Sequence, residues 1–146
     1  YTLLRYTQLI QRRQSLYLLI TAVHLFAVPF VDLATVPASG NMEAVHFNII
    51  DNPVLFAVDM LVGILAVITI FSFRSLRHQQ RLAVLTAVLS AMLLVGILFT
   101  VQVAGMMSCI GYAAPVFLVL AVIGAILAAA AIRSDRRLLD SVNRLR

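Results

Sequence analysis

The chain has 146 residues, of which 62% are hydrophobic and only 12% are charged. A soluble domain carries roughly twice that share of charge, so the composition excludes an ordinary soluble protein and indicates one surrounded by lipid. All eleven strongly basic residues are arginines, and they lie in three clusters between apolar runs. This arrangement differs from the basic stripe of a nucleic-acid-binding protein, and no nucleic-acid partner is expected.

The first apolar run covers about residues 15–31 and follows the basic stretch QRRQ. A basic stretch before an apolar run also begins a signal peptide, but this run is long and no clean small-x-small cleavage site follows it. About 20 mostly apolar residues are needed to cross the hydrocarbon core of a bilayer. We therefore expect a retained first membrane-spanning helix.

The second apolar run covers about residues 53–73. Pro53 suits the first position of a helix, and Asn52 before it suits the N-cap. The segment between the first two runs, residues 32–52, is predicted to be an outer loop. Within it, AVHFNII at 44–50 alternates enough between apolar and polar residues for a short strand or a segment at the membrane interface.

The rest of the apolar sequence is one stretch, residues 82–132, with 51 positions and no charged side chain. As one helix it would be about 76 Å long, more than twice the thickness of the hydrocarbon core. Gly105, Gly111 and Pro115 mark the turn at which it folds back. The predicted third and fourth spans cover about residues 82–103 and 113–132.

The arginines indicate the orientation of the four spans. They precede the first span, separate the second from the third and follow the fourth, so all eleven lie on one side. The two loops on the other side contain neither arginine nor lysine, and the positive-inside rule then places both termini in the cytoplasm. The predicted fold for residues 1–146 is a single all-α domain with four transmembrane helices.

The cytoplasmic tail, residues 133–146, is predicted to continue as an amphipathic helix. Leu138, Val142 and Leu145 fall on one face, and arginines occupy much of the remainder. Three interpretations remain open: a solvated helix end, a helix on an anionic leaflet, and a helix docked on a partner. The arginines expected to contact phospholipid headgroups or a partner are Arg12, Arg13, Arg74, Arg77, Arg81, Arg136, Arg137 and Arg144.

Two ionisable side chains lie inside the predicted spans, where such groups are costly and often functional. His24 is in the first span and Asp59 in the second. Measured from the flanking arginines, they lie at depths of about 16 and 22 Å, close enough to meet if their helices are neighbours. The pair is a candidate ligand contact. The alternatives are a hydrogen bond that fixes helix register, or an Asp59 that reaches the outer headgroups.

Small residues line one side of the fourth span. Gly124 and Ala128 form a small-xxx-small pair, which is typical of close helix contacts in lipid. Their role is packing among the four helices, an interface with another membrane protein, or both. The residues predicted at a helix–helix interface are Ala121, Gly124, Ala125, Ala128 and, in the third span, Gly96.

No set of residues in the sequence matches a catalytic or cofactor site. Neither GxSxG nor HExxH is present, and the single cysteine, Cys109, excludes an internal disulfide and a CxxC redox pair. His46 and His78 lie outside the spans, at the wrong depths to bind haem with His24, and a zinc site needs three or four converging ligands. We expect no metal, no cofactor and no enzymatic activity.

Three stretches of the chain resemble the bacterial domain-of-unknown-function family 4293: LIQRRQSLYLLI at 9–20, FRSLRHQQRLAVL at 73–85 and AIRSDRRLLDSVNRLR at 131–146. Members of that family typically open with a sequence like MIQRIQSLYLL and end near DRLR, where this chain has NRLR. The resemblance implies a small four-span protein in the inner membrane of Gram-negative bacteria. It implies no activity, because the family has none assigned.

The leading hypothesis is a non-catalytic accessory or scaffolding subunit of a membrane complex, bound to a membrane-protein partner or to further copies of itself. The alternative is a protein that binds or transports a lipid or small amphiphile through His24 and Asp59. A membrane enzyme acting on a lipid or quinone is the third hypothesis. Only Asp59, His24 and the outer-loop residues Glu43 and His46 could serve it, and a site on the outer face would have to use Glu43 and His46.

Overall fold

A computed structural model describes the backbone of residues 2–144 and the side chains of residues 13–142. The side chains of Arg12 and Arg144, and the whole of Leu145, lie outside the described residues. Four helices make up most of the fold, each long and apolar enough to cross a membrane, so the chain is a multi-pass membrane protein, as predicted. They are α1 (Thr2–Ala27), α2 (Pro53–Phe71), α3 (Leu76–Val103) and α4 (Ala113–Arg144).

The four helices form a closed bundle in which each contacts two neighbours. α1 lies between α2 and α4, and α3 completes the ring on the opposite side. Because successive spans run in opposite directions, the α1–α2 and α3–α4 connections meet at one end of the bundle, here called the loop end. The α2–α3 connection lies at the other, called the arginine end, because every arginine with a described side chain is found there.

The helices extend beyond the predicted spans at the arginine end. α1 begins at Thr2, α3 begins at Leu76 and α4 continues to Arg144. A helix does not have to stop where it leaves lipid, and the arginines, glutamines and leucines of these segments are good helix formers. At 32 residues, α4 is about 48 Å long against a hydrocarbon core of about 30 Å. Its last part, residues 133–144, is called the α4 extension.

α2 begins where the sequence predicts. Asn52 is its N-cap, and the Asn52 side-chain oxygen accepts hydrogen bonds from the backbone N–H groups of Val54 (3.2 Å) and Leu55 (3.3 Å). Pro53 follows in the first turn. The cap supplies acceptors for two N–H groups that have no partner inside the helix, which is why the helix starts here.

A two-stranded hairpin covers the loop end, and the all-α prediction did not include it. β1 (Asp32–Val36) pairs antiparallel with β2 (Val45–Asn48), so the segment at 44–50 adopts the strand alternative. Leu33 and Ala34 are fully buried, because this part of the hairpin packs against the helices of the bundle. The N–H of Gly111, in the α3–α4 connection, donates to the carbonyl oxygen of Leu33 at 2.8 Å.

The interior of the bundle is apolar along most of its length. The larger cluster takes side chains from all four helices and lies toward the loop end. The smaller cluster lies toward the arginine end and consists of Leu18, Ala83, Ala128 and Ile132. On the outside, large apolar side chains such as those of Leu61, Val95 and Phe99 are more than half exposed, as expected for a surface that faces acyl chains.

Candidate functional site

Asp59 is a fully buried carboxyl group inside the bundle. It lies six residues after Pro53, about 9 Å along α2 from the loop end. Val62 and Ala66 share its face of α2 and belong to the larger apolar cluster. Among the described residues, neither carboxyl oxygen of Asp59 has a hydrogen-bond partner. Such a group costs at least about 1–3 kcal/mol of folding free energy, so folding alone does not explain it.

His24 and Asp59 do not form the predicted pair in the structure. The Nδ1–H of His24 donates to the carbonyl oxygen of Ile20 at 2.7 Å, a bond within α1. The His24 ring also meets the ring of Phe117 on α4 edge-on, with a centroid distance of 5.7 Å. The imidazole is thus turned toward α4, whereas Asp59 projects from α2. The Asp59 side chain is fully buried inside the bundle and is not exposed on its outer surface.

The small residues of α4 pack against α1 of the same chain. A Cβ atom built on Gly124 would lie 2.5 Å from the Oγ1 of Thr21 and 3.2 Å from the carbonyl oxygen of Tyr17. Gly96 of α3 similarly faces Leu55 of α2, at 3.3 Å. The other predicted interface residues, all fully buried, are Ala121, Ala125 and Ala128. These faces are therefore occupied within the bundle.

A layer of buried amides lies at the arginine end, and the sequence interpretation did not single it out. Gln14 of α1 donates through Nε2 to the Asp135 carboxylate of α4. Gln79 of α3 donates through Nε2 to the carbonyl oxygen of Thr69 at 3.3 Å. The Oε1 atoms of both glutamines have no partner among the described residues. Their burial could have been predicted from their positions, because each glutamine lies one helical turn from a residue of the smaller apolar cluster.

The arginines with described side chains stand mostly in solvent. Arg136 is the exception, because it is half-buried and donates through Nη1 to the Oε1 of Gln80 at 3.4 Å, which joins α4 to α3. Within residues 13–142 no arginine is paired with a carboxylate; the nearest contact of that kind is a hydrogen bond of 2.8 Å between the His46 Nδ1 and the Asp32 carboxylate, in the hairpin at the opposite end. The exposed arginines are Arg13, Arg74, Arg77, Arg81, Arg133 and Arg137.

The α4 extension carries exposed apolar side chains among its arginines. Leu138, Leu139 and Val142 are 56%, 44% and 53% exposed. This apolar set differs from the lipid-facing surface of the bundle because charged residues, including Asp140, surround it. These side chains form a small apolar group among charges, beyond the spanning part of the helix.

No metal centre appears in the described part of the chain, because no three His, Cys, Asp or Glu side chains converge there. Glu43, in the loop of the hairpin, and His46, in β2, are both exposed, and the Nδ1 of His46 is hydrogen-bonded to the Asp32 carboxylate. The described residues offer three notable features: one isolated buried carboxyl group, one amide layer, and a basic end with exposed apolar residues.

Comparison with known proteins places the chain in a family without assigning an activity. Neither a curated protein nor a solved structure matches it. The profile of the family described as "Domain of unknown function (DUF4293)" matches residues 10–145, which is nearly the whole chain. The three stretches on which the resemblance was based lie almost wholly within this match, and the chain belongs to the DUF4293 family.

Proposed function

We propose that the protein is a non-catalytic accessory or scaffolding subunit of a complex in the bacterial inner membrane. In this proposal the α4 extension binds another membrane protein, or a second copy of the chain, at the cytoplasmic face. The membrane-spanning bundle acts as the anchor that holds this helix in place.

The observation that carries the proposal is the exposed apolar set on the α4 extension. Along the helix axis, Leu138 lies about 9 Å and Val142 about 15 Å beyond Ile132, where the charged residues begin. The headgroup layer on each side of a bilayer is only about 6 Å thick. α4 is one helix without interruption, so its end does not turn to lie on the membrane surface while its first part crosses it. A protein partner would remove these side chains from water.

The packing inside the bundle supports this choice of surface. Gly124 and its neighbouring alanines face α1 of the same chain, which leaves no free small-residue face on that side of α4. A partner recognised within the membrane would meet mainly large apolar side chains, such as those of Leu61, Val95 and Phe99, which resemble lipid. The extension offers leucine, valine and arginine together, and arginine is enriched at protein interfaces.

Two further arguments support the location and the orientation. The chain belongs to the DUF4293 family, and the resemblance to that family implies a small protein of the bacterial inner membrane. The concentration of arginines at one end of the bundle favours a cytoplasmic position for that end, by the positive-inside rule.

The proposal is tested by purification from native membranes in a mild detergent. Proteins that remain in stoichiometric amounts are identified for the wild type and for Leu138→Ala/Val142→Ala. The matched control is Val116→Ala/Leu120→Ala, which removes one exposed leucine and one exposed valine from the spanning part of α4. We expect a stoichiometric partner, or a dimer, that the first variant loses and the control keeps. Absence of any stoichiometric partner, or equal retention in both variants, contradicts the proposal.

Asp59 supports a second candidate function, the binding of a small amphiphile inside the bundle. A fully buried carboxyl group without a described partner is a natural contact for a hydrogen-bond donor or a cationic group. The small molecules that co-purify with the wild type would then be lost from Asp59→Asn. They would remain with Ser90→Ala, a change at a buried hydroxyl that is bonded within its own helix to the carbonyl oxygen of Thr86.

A further inference from the structure

We infer that the groove between α3 and α4 at the arginine end is a specific binding site for one anionic phospholipid. The groove has a volume of about 650 Å³ and opens on the outside of the bundle. It lies on a different side of α4 from Gly124, which packs against α1. The inference goes beyond the proposed function, because it concerns a lipid site. The groove and the protein-binding surface share Leu138, which lines the groove beside Arg137.

The walls of the groove are apolar at one end and basic at the other, which matches the acyl chains and the anionic headgroup of a phospholipid. Val84 of α3 and Ile126 and Ala130 of α4 line the part that lies within the spanning helices. Arg133 and Arg137 line the part that lies beyond them. From Ala130 to Arg137 the distance along the axis is about 10 Å, so one bound molecule would place an acyl chain on the first part and a phosphate on the second.

The charges at the polar part of the groove suit a phosphate. Arg133 and Arg137 are one helical turn apart on α4, so both guanidinium groups point to the same side. In the described part of the chain neither arginine is paired with a carboxylate, and no acidic side chain lines the groove. Ser134 adds a hydroxyl group to the lining, whereas the Ser141 hydroxyl already donates to the carbonyl oxygen of Leu138 at 2.7 Å. Guanidinium groups bind phosphate oxygens through paired N–H donors, which favours an anionic headgroup.

Arg136 and Gln80 hold the two walls of this groove together. Gln80 lines the groove from α3, and its side-chain oxygen accepts a hydrogen bond from Arg136 of α4 at 3.4 Å. Arg136 is therefore engaged in a contact between helices, and the arginines that line the groove among the described side chains are Arg133 and Arg137. Arg136 thus has a structural role, whereas Arg133 and Arg137 would bind the phospholipid headgroup.

The test is native mass spectrometry of the full chain in detergent, titrated with phosphatidylglycerol or with phosphatidylcholine of the same acyl chains. We expect the wild type to bind one phosphatidylglycerol with clear preference. Arg133→Gln/Arg137→Gln should weaken that binding by roughly thirtyfold. Arg74→Gln/Arg77→Gln removes two charges from the same end but outside the groove, and should keep the preference. All four arginines are exposed, so folding is not expected to change.

A second pair of variants separates a phospholipid from a soluble phosphate. Ala130→Phe fills the apolar part of the groove and should weaken phosphatidylglycerol binding, whereas Leu127→Phe, on the exposed surface outside the groove, should not. Glycerol 3-phosphate should not compete. Equal loss in the two arginine variants, equal binding of the two lipids, or effective competition by glycerol 3-phosphate would each overturn the inference.

Discussion

Gly124 of α4 and Thr21 of α1 approach so closely that no side chain fits at position 124. A Cβ atom there would lie 2.5 Å from the Thr21 Oγ1, which itself donates to the carbonyl oxygen of Tyr17 at 2.9 Å. The contact sets the separation of the two helices in the middle of the bundle. It also shows that the small-xxx-small pattern of α4 serves the chain's own packing.

Gly124→Ala should therefore destabilise the bundle. The added methyl group must displace Thr21 and lies near a backbone oxygen, and such overpacking costs about 1–3 kcal/mol. The measurement is thermal unfolding in detergent. Thr21→Ala in the same chain should recover most of the loss, because it removes the nearest atom. Gly96→Ala is the control, since its methyl group meets only the flexible end of Leu55. Equal losses in both glycine variants would contradict the close contact.

Asp59→Leu should stabilise the isolated protein. Leucine branches at the same position as aspartate and needs no hydrogen-bond partner, so the change removes a penalty of about 1–3 kcal/mol. Asp59→Asn keeps an unpartnered polar group and should gain little. The melting temperatures of the purified variants compare the two. A lower melting temperature for Asp59→Leu would show that the carboxyl group has a stabilising partner in the protein.

The single cysteine provides a test of orientation. Cys109 lies at the loop end and is partly exposed, so a membrane-impermeant maleimide should label it from outside intact cells. In the variant Cys109→Ser/Ser141→Cys the thiol lies on the α4 extension, and labelling should require permeabilised membranes. The reverse pattern of labelling would place the arginine end outside and remove the support of the positive-inside rule.

Gly111→Ala should loosen the loop end of the bundle. A Cβ atom at position 111 would lie 2.6 Å from the carbonyl oxygen of Asp32, a backbone atom that cannot rotate away. The hairpin and the α3–α4 connection must then separate, and Cys109, which belongs to that connection, should react with maleimide several times faster. Gly105→Asn is the matched control, because asparagine tolerates the positive φ of 70° and nothing lies within 4 Å. An unchanged rate in Gly111→Ala would contradict the close contact.

The sequence was sufficient to predict the four spans but not the directions in which their side chains point. Apolar runs of about 20 residues have few alternatives to spanning helices, and the Asn52 cap could be located from local chemistry. Axial depth follows from residue number, so His24 and Asp59 appeared close. Their rotation about each helix axis depends on packing, and the structure turns His24 toward Phe117.

Two other features also required three-dimensional information. β1 is short and pairs with a strand nine residues further along, so its own residues carry little strand signal. Small residues predict close helix contacts, but a sequence does not distinguish a neighbour in the same chain from one in another protein.

Photo-cross-linking from the α4 extension tests the central claim most directly. A diazirine amino acid is placed at position 138 or 142, and as control at position 116 in the spanning part of α4, and native membranes are irradiated. The account predicts a single defined protein adduct from Leu138 and Val142, either with another membrane protein or with a second copy, and none from Val116. Lipid adducts alone at all three positions, or no protein adduct at 138 and 142, would contradict a protein-binding role for the extension.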